Sequence, residues 1–481
     1  MRKKVLSFVL AAAMVSSVLA GCGGKDAATS GKAASNAGNS GKQAAEGKVL
    51  NVWSWNDEFQ SRFNAYFSEV DHASDDKSVT YLKDGTEVHW IINPNQNGVY
   101  QQKLDEALMA NGANQEKAAA DDKIDIFLAE TDYLIKYIDK NTNVAMPLKD
   151  LGIDPATELA DQYQYTKDAA SDADGVQRAT TWQACPGLFV YRRSIAKDVF
   201  GTDDPDKVQE QVADWTKFEG AAKALKDKGY FMLSSICADT YRVFGNNVAT
   251  PWVTKDAPDT VQVDENIINW IKQSRTFYDN DYTHKTSGQW VDDWNKDMAA
   301  DSKVFGWFFP AWGVNFTIKP NTGDAGAGDW AVCNGPQAYN WGGSFIIGAT
   351  GTDNPALVKK VMLELTATKD TLLKITADTL DYTNTISGMK DIAADDSKGG
   401  SDFLGGENPY KYFAPQAETI KMDKITPYDQ GCCECLQNAM NDYFNGNTTF
   451  EQAKEAFATA IKERYPELTK VNWPASADDL K

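Results

Sequence analysis

The sequence predicts an α/β fold of two lobes, each a mostly parallel sheet flanked by helices. Two observations carry this reading. Between residues 49 and 138, short apolar runs of strand character alternate with stretches whose apolar residues recur at helical spacing, and after Lys149 the alternation starts again with different details. Some 430 residues follow the flexible start of the chain, at about 150 residues per domain enough for two to three domains with sizeable cores.

Residues 49–55 (VLNVWSW) are the first strand, and Phe59, Phe63, Tyr66, Phe67 and Val70 then follow at helical spacing. Residues 88–92 (VHWII) form a second strand and 100–108 a second helix; residues 124–129 (IDIFLA) form a third strand and 133–138 begin a third helix. Ligands of such sheets bind outside the carboxyl ends of the strands. Those ends are Trp55-Asn56-Asp57-Glu58, Asn93-Pro94-Asn95-Gln96-Asn97 and Glu130-Thr131-Asp132, all polar. In the second half, residues 176–181 and 188–191 are strands flanking Trp182-Gln183-Ala184-Cys185-Pro186-Gly187. Asp214 caps, and Gly229 ends, a helix with Trp215, Phe218, Ala222 and Leu225 on one face. Residues 230–233 resume a strand aimed at Asp239-Thr240-Tyr241, and a helix follows over 267–278. Two Trp-rich segments come next, 304–312 (VFGWFFPAW) and 339–347 (YNWGGSFII). The last third reads as helical, with Thr449 and Gln452 spaced as a capping box ahead of Phe457 and Ile461.

The start of the chain is an address. Arg2-Lys3-Lys4 precede an apolar run over 5–19 that is too short to span a bilayer comfortably and ends in small residues, the pattern of a cleaved secretory leader over 1–21. Leu19-Ala20-Gly21-Cys22 resembles the lipobox of bacterial lipoproteins, which implies lipidation of Cys22 and attachment to the outer face of a cell membrane. Residues 22–47 hold Gly, Ala, Ser, Asn and Lys with almost no large apolar residue and read as a tether. The formal charge of −20 disfavours nucleic acid or anionic lipid as a partner, because phosphate binding needs concentrated Lys and Arg. Nothing implies an oligomer. Six cysteines besides Cys22 are too few to staple so long a chain, and Cys432-Cys433-Glu434-Cys435 lacks a second Cys or His pair among only three histidines, so it reads as a helical face rather than a metal site. No cofactor is expected.

The 14 tryptophans are the chemical signal, since many stand beside small or polar residues: Trp55 before Asn56, Trp182 before Gln183, Trp312 before Gly313, Trp341 before Gly342-Gly343. A flat indole against the apolar face of a pyranose, with carboxylates and amides on the hydroxyl rim, recognises a saccharide without leaving buried hydroxyls unpaired. Any single Trp is more often a core residue, and Trp215 and Trp270 lie on helical faces. A glycosidase needs two carboxylates at a defined separation, but nothing in the spacing of Asp57, Glu58, Glu130, Asp132 and Asp239 marks a catalytic pair. No GxSxG elbow, HExxH helix or GxxxxGK[ST] loop is present. Asp172-Ala173-Asp174-Gly175 imitates part of a calcium loop but lacks ligands at its first and last positions.

These segments together resemble the extracellular solute-binding proteins of bacterial ABC importers, in particular the carbohydrate-binding group that includes maltose-binding protein. The resemblance runs from the lipobox to the end of the chain, on residues 49–59, 124–139, 174–201, 214–229, 304–313 and 339–349. LDYTNTISGMK and FLGGENPYKYF, from Leu380 onward, look like branches from Gram-positive gut anaerobes. One departure is Thr180-Thr181 before Trp182, where the family usually has Gly-x-Pro. The resemblance implies a binding protein rather than an enzyme, with two lobes joined by three crossings: lobe one at 48–146 plus 332–352, lobe two at 147–331 plus 353–481. It implies hinge closure on a sugar and delivery to a permease, with a non-sugar solute such as a polyamine or peptide as the alternative. Carried over, the ligand contacts are Trp55, Asn56, Asp57, Glu58, Glu130 and Asp132 from lobe one. Trp182, Gln183, Asp239 and Tyr241 come from lobe two, Trp307 and Trp312 match the segment that supplies a stacking indole in many relatives, Trp341 with Gly343 matches another wall of the cleft, and Asn384 lies near the C-terminal crossing.

Overall fold

The computed structural model describes residues 47–480 apart from Ile236; the leader, Cys22 and the tether through residue 46 lie outside the described residues. The strands are β1 (Val49–Ser54), β2 (Val70–Ala73), β3 (Val79–Leu82), β4 (Glu87–Ile92), β5 (Ile126–Glu130), β6 (Ala179–Thr181) and β7 (Gly187–Arg192). They continue as β8 (Leu233–Ser235), β9 (Thr260–Gln262), β10 (Thr283–Thr286), β11 (Gly306–Pro310), β12 (Trp330–Cys333), β13 (Ser344–Gly348) and β14 (Lys470–Asn472). A seven-stranded sheet runs in the order β2-β3-β4-β1-β5-β13-β6, and a three-stranded sheet runs β11-β7-β12. Parallel pairing occupies the centre of the large sheet, where β1 pairs with both β4 and β5. Its flanks, and the whole three-stranded sheet, are antiparallel.

Burial on both faces explains the apolar strands. Along β5, Ile126 and Leu128 point to one side, where they meet Leu50, Val52, Phe59 and Phe63; Phe127 and Ala129 point to the other, toward Tyr100 and Leu104 of the helix Val99–Asn111. Helices Pro355–Thr366 and Lys369–Thr379 cover the first side with Val358, Val361, Met362 and Ile375. The sequence reading assigns these helices to lobe two; in the structure they pack on the large sheet, which needs cover on both faces. A separate core joins Ile267, Trp270 and Ile271 to Cys432, Leu436, Met440, Phe457 and Ile461. All six described cysteines are unpaired, and four of them are buried.

Local signals hold where they are strongest. The Asp214 carboxylate accepts from Lys217 N at 2.8 Å at the start of the helix Trp215–Asp227, Gly229 takes φ +82°, and the Thr449 and Gln452 capping box is complete. Among the described residues, no helix is long and apolar enough to cross a membrane.

Three segments link the two sheets. Residues 182–186 join β6 to β7, residues 334–343 join β12 to β13, and residues 380–385 run antiparallel beside the first, with Asn384 N donating to Trp182 O at 2.8 Å and Ala184 N to Tyr382 O at 3.0 Å. They bring the ends of β1, β5, β6 and β11 and the starts of β7 and β13 to one region, because Ser344 faces Glu130, Phe345 faces Thr181 and Pro310 faces Gly187.

Candidate functional site

The site begins just past β1. Glu58 opens the helix Glu58–Tyr66, where its carboxylate receives Gln183 Nε2 at 3.0 Å from the first link and Ser344 Oγ at 3.4 Å from β13. Gln183 also accepts from Ser344 N at 3.0 Å and donates to Asp381 in the third link at 3.4 Å. Arg62, one turn along from Glu58, reaches Asp381 at 3.3 Å and Glu58 at 3.8 Å. One guanidinium thus serves two enclosed carboxylates. Burial first, and then the charge of Asp381, push Glu58 up to about 7 against the pull of Arg62; burial raises Asp381 as well.

A second knot lies past β5. Glu130 caps the helix Thr131–Ile138 by accepting from Asp132 N at 2.8 Å, and burial, with Asp132 beside it, pushes its carboxyl up to about 8. Thr131 holds the second link from below, its N–H on Gly343 O at 3.2 Å and its hydroxyl on Gly342 O at 2.7 Å. Gly342 and Gly343 have φ of +86° and +116°, which lets the backbone turn over this helix start. Asp132 is gripped by both terminal nitrogens of Arg242, one contact measuring 2.6 Å. Arg242 comes from the helix Ala238–Asn246, so the pair ties elements of the two sheets together.

An aromatic row continues from there. The Arg242 guanidinium lies 5.0 Å from the Trp341 ring centre, and Phe309 stacks on Trp341 at 5.3 Å. Trp312 meets Trp341 edge-on at 5.3 Å and donates its indole N–H to Trp341 O at 3.0 Å. Trp290 stacks on Trp312 at 6.3 Å and 20°. Exposure rises outward along the row, from 6 % at Trp341 through half-buried Trp312 to 55 % at Trp290. Trp290 has φ +67°, a conformation that costs a bulky residue roughly 1–3 kcal/mol, so its indole is held out to solvent against local preference.

No protein-family model matches the sequence, and a search of curated proteins returns no match. Solved structures match over nearly the whole chain. A crystal structure described as extracellular solute-binding protein family 1 aligns at TM-score 0.67 and 18 % identity, over 87 % of this chain and 99 % of that one. The chain has the two-lobed fold of the extracellular solute-binding proteins. An ABC-transporter-associated binding protein of Bifidobacterium animalis subsp. lactis, in complex with β-1,6-galactobiose, aligns at TM-score 0.62 and 16 % identity, over 88 % and 100 % of the two chains. The galacto-N-biose/lacto-N-biose I-binding protein of Bifidobacterium longum, in complex with lacto-N-biose, aligns at 0.62 and 11 %, over 88 % and 98 %.

Within this solute-binding fold, Glu58, Gln183, Glu130, Asp132, Gly343, Trp341 and Trp312 belong to one chain of contacts, joined where Ser344 pairs with Glu130, and Gln183 and Trp341 within it are buried. Trp55, half-buried, turns its edge to Tyr100 and Tyr133, while Asn56 and Asp57 stand exposed beside it. Five more of the expected contacts are buried. Trp182 stacks on Phe59 at 5.5 Å. Trp307 is 1 % exposed and packs on Trp330. Asp239 is taken up by Ser235 N and Trp294 Nε1, both at 2.8 Å. Asn384 pins the links through Tyr163 N at 3.0 Å and Thr181 O at 3.1 Å. Tyr241, also buried, donates to Cys433 Sγ at 2.7 Å beyond Arg242. The sequence reading missed Arg62, Arg242, Trp290, Ser344 and Asp381. Trp290 carries the same signal as the chosen indoles, following Ser287-Gly288-Gln289.

The raised carboxyls set a pH dependence. Glu58 and Glu130 favour the neutral form when folded, so their contribution to stability is complete below the unfolded carboxylate range and is lost as pH rises through about 7 and 8. Urea stability is expected to fall by several kcal/mol between about pH 5 and 8.5. Glu58→Gln with Glu130→Gln flattens that decline, and an equally steep profile in the double variant assigns it to other groups.

Proposed function

We propose that this protein is a lipid-anchored extracellular binding protein that captures a carbohydrate and delivers it to an ABC importer. The observation that carries this is the chain of amide, carboxylate and guanidinium contacts from Glu58 to Arg242, which leads to half-buried Trp312 and to exposed Trp290. Such a surface satisfies hydroxyls along one edge of a sugar and covers its apolar face with an indole. Asp381, Glu58 and Asp132 have guanidinium or amide partners, which favours a neutral polyol over a polyamine. The galactobiose and lacto-N-biose complexes of the two bifidobacterial proteins agree with this reading. The lobes meet at residues 182–186, 334–343 and 380–385, and ligand held by one lobe gains contacts to the other only on closure.

A thermal-shift screen of mono- and oligosaccharides, polyamines and amino acids tests the reading. One sugar series is expected to raise Tm progressively with concentration, by about 3 kcal/mol of linkage stabilisation at a hundredfold excess over Kd. A response only to a polyamine or amino acid overturns the saccharide assignment. Release of shorter sugars on prolonged incubation overturns the assignment as a binder.

A further inference from the structure

The cleft continues past the Asp132 and Arg242 pair. Behind it lies a cavity of about 520 Å³, within the size range of small-ligand sites, walled by three helices and by the segments 248–252 and 421–426. Thr131, Asp132 and Ile135 contribute the first turn of one helix, and Ala238, Tyr241, Arg242 and Gly245 one face of the second. Gln430, Cys433, Glu434 and Gln437 form the third wall, at the spacing of one face of the helix Asp429–Phe444. The opposite face of that helix, with Cys432, Leu436 and Met440, is buried in the core. Trp290 lines this cavity too, so one indole belongs both to the aromatic row and to the space behind the ion pair.

We propose that this compartment is a further part of the ligand site and takes additional sugar units, which makes the ligand an oligosaccharide extending past Asp132 and Arg242. The inference rests on the carbohydrate reading above. Its amides and ring faces match hydroxyl recognition, and exposed Lys421 and Lys424 on its lining add donors for sugar oxygens. The carboxylates on its walls are already engaged: Asp132 by Arg242, Glu434 by Arg464, and Asp429 by Thr426 N at 2.8 Å and Thr426 Oγ1 at 2.6 Å. A cation therefore finds no open anionic partner there. The amides are free by contrast. Gln430 makes no side-chain hydrogen bond among the described residues, and the Gln437 amide reaches only the Cys433 carbonyl of its own helix, at 3.4 Å. Amides turned inward on a cavity, beside Trp252, Trp290 and Tyr241, offer donors, acceptors and ring faces together.

The test is calorimetric titration of the whole protein with α-1,4-gluco- and β-1,6-galacto-oligosaccharides of one to four units, repeated with Gln430→Ala/Gln437→Ala. In the series that binds, affinity is expected to rise at least tenfold from one unit to three, and the double variant should bring that ratio down to about two. A flat dependence on length, or a ratio unchanged in the variant, overturns the proposal while leaving sugar capture intact. Silence toward every length in both series, with a thermal shift only from a polyamine or amino acid, overturns both readings at once. A second readout needs no substitution, because Cys433 lines the cavity and is only half-buried. A saturating trisaccharide is expected to slow alkylation of Cys433 several-fold more than a saturating monosaccharide does, and equal rates overturn the compartment's role.

Discussion

Replacing Trp312 with alanine is expected to weaken sugar binding by roughly 30- to 150-fold, the equivalent of about 2–3 kcal/mol. Three losses combine in this one change. The half-buried ring face that would cover a pyranose disappears, Trp290 loses the ring on which it stacks at 6.3 Å, and Trp341 O loses its indole donor at 3.0 Å. Trp312→Phe separates these effects, since it keeps a ring while removing the N–H, and should cost less than tenfold. Trp307→Phe is the internal control. Its parent indole lies on the far part of β11 against Trp330, so affinity should stay within twofold of the parent. Equal losses from Trp307→Phe and Trp312→Ala, measured by the same titration, would show that the effect travels through folding rather than contact.

Gly187→Ala is expected to be strongly destabilising. Gly187 opens β7, donates its N–H to Tyr339 O at 2.8 Å, and lies directly under the Tyr339 ring, whose hydroxyl donates to Leu188 O at 3.0 Å. A Cβ built at residue 187 falls inside that ring. The conformation is not the difficulty; the close approach is. Tyr339 is fully buried and has no room to move without displacing residues 334–343, the second link. Destabilisation of about 3 kcal/mol or more follows, read from urea midpoints. Gly187→Ala/Tyr339→Leu should recover part of it. A Gly187→Ala protein within 0.5 kcal/mol of its parent would mean that the ring has free space.

What the sequence made legible was whatever depends on neighbours along the chain. Caps at Asp214 and Thr449, the left-handed Gly229, and the strands at 49–54, 87–92 and 126–130 are all set by local periodicity and terminal chemistry. The hairpin of β2 and β3 was not legible, because β2 is short, polar and exposed at the sheet edge and has no buried face to impose alternation. Part of the site was hidden for the same reason. Arg62 and Asp381 are 319 residues apart, and only the third link brings them together. The indoles divide by position rather than by type: Trp312 stands just past the end of β11, at the rim, while Trp307 lies within the strand. Resemblance to a family segment could not make that distinction, since both residues fall in it.

The unequal burial of the tryptophans also gives the protein its own optical label. Trp182, Trp270, Trp307 and Trp330 are sealed in the interior, away from Trp290, and supply a fluorescence background that water does not reach. Trp290 has more than half its surface in water, so its emission lies to the red and is quenched freely by iodide or acrylamide. A solute settling over it excludes both water and quencher, and the emission moves to the blue. Capture can therefore be followed in real time in stopped flow on the unmodified chain, with Trp290→Phe as the dark reference.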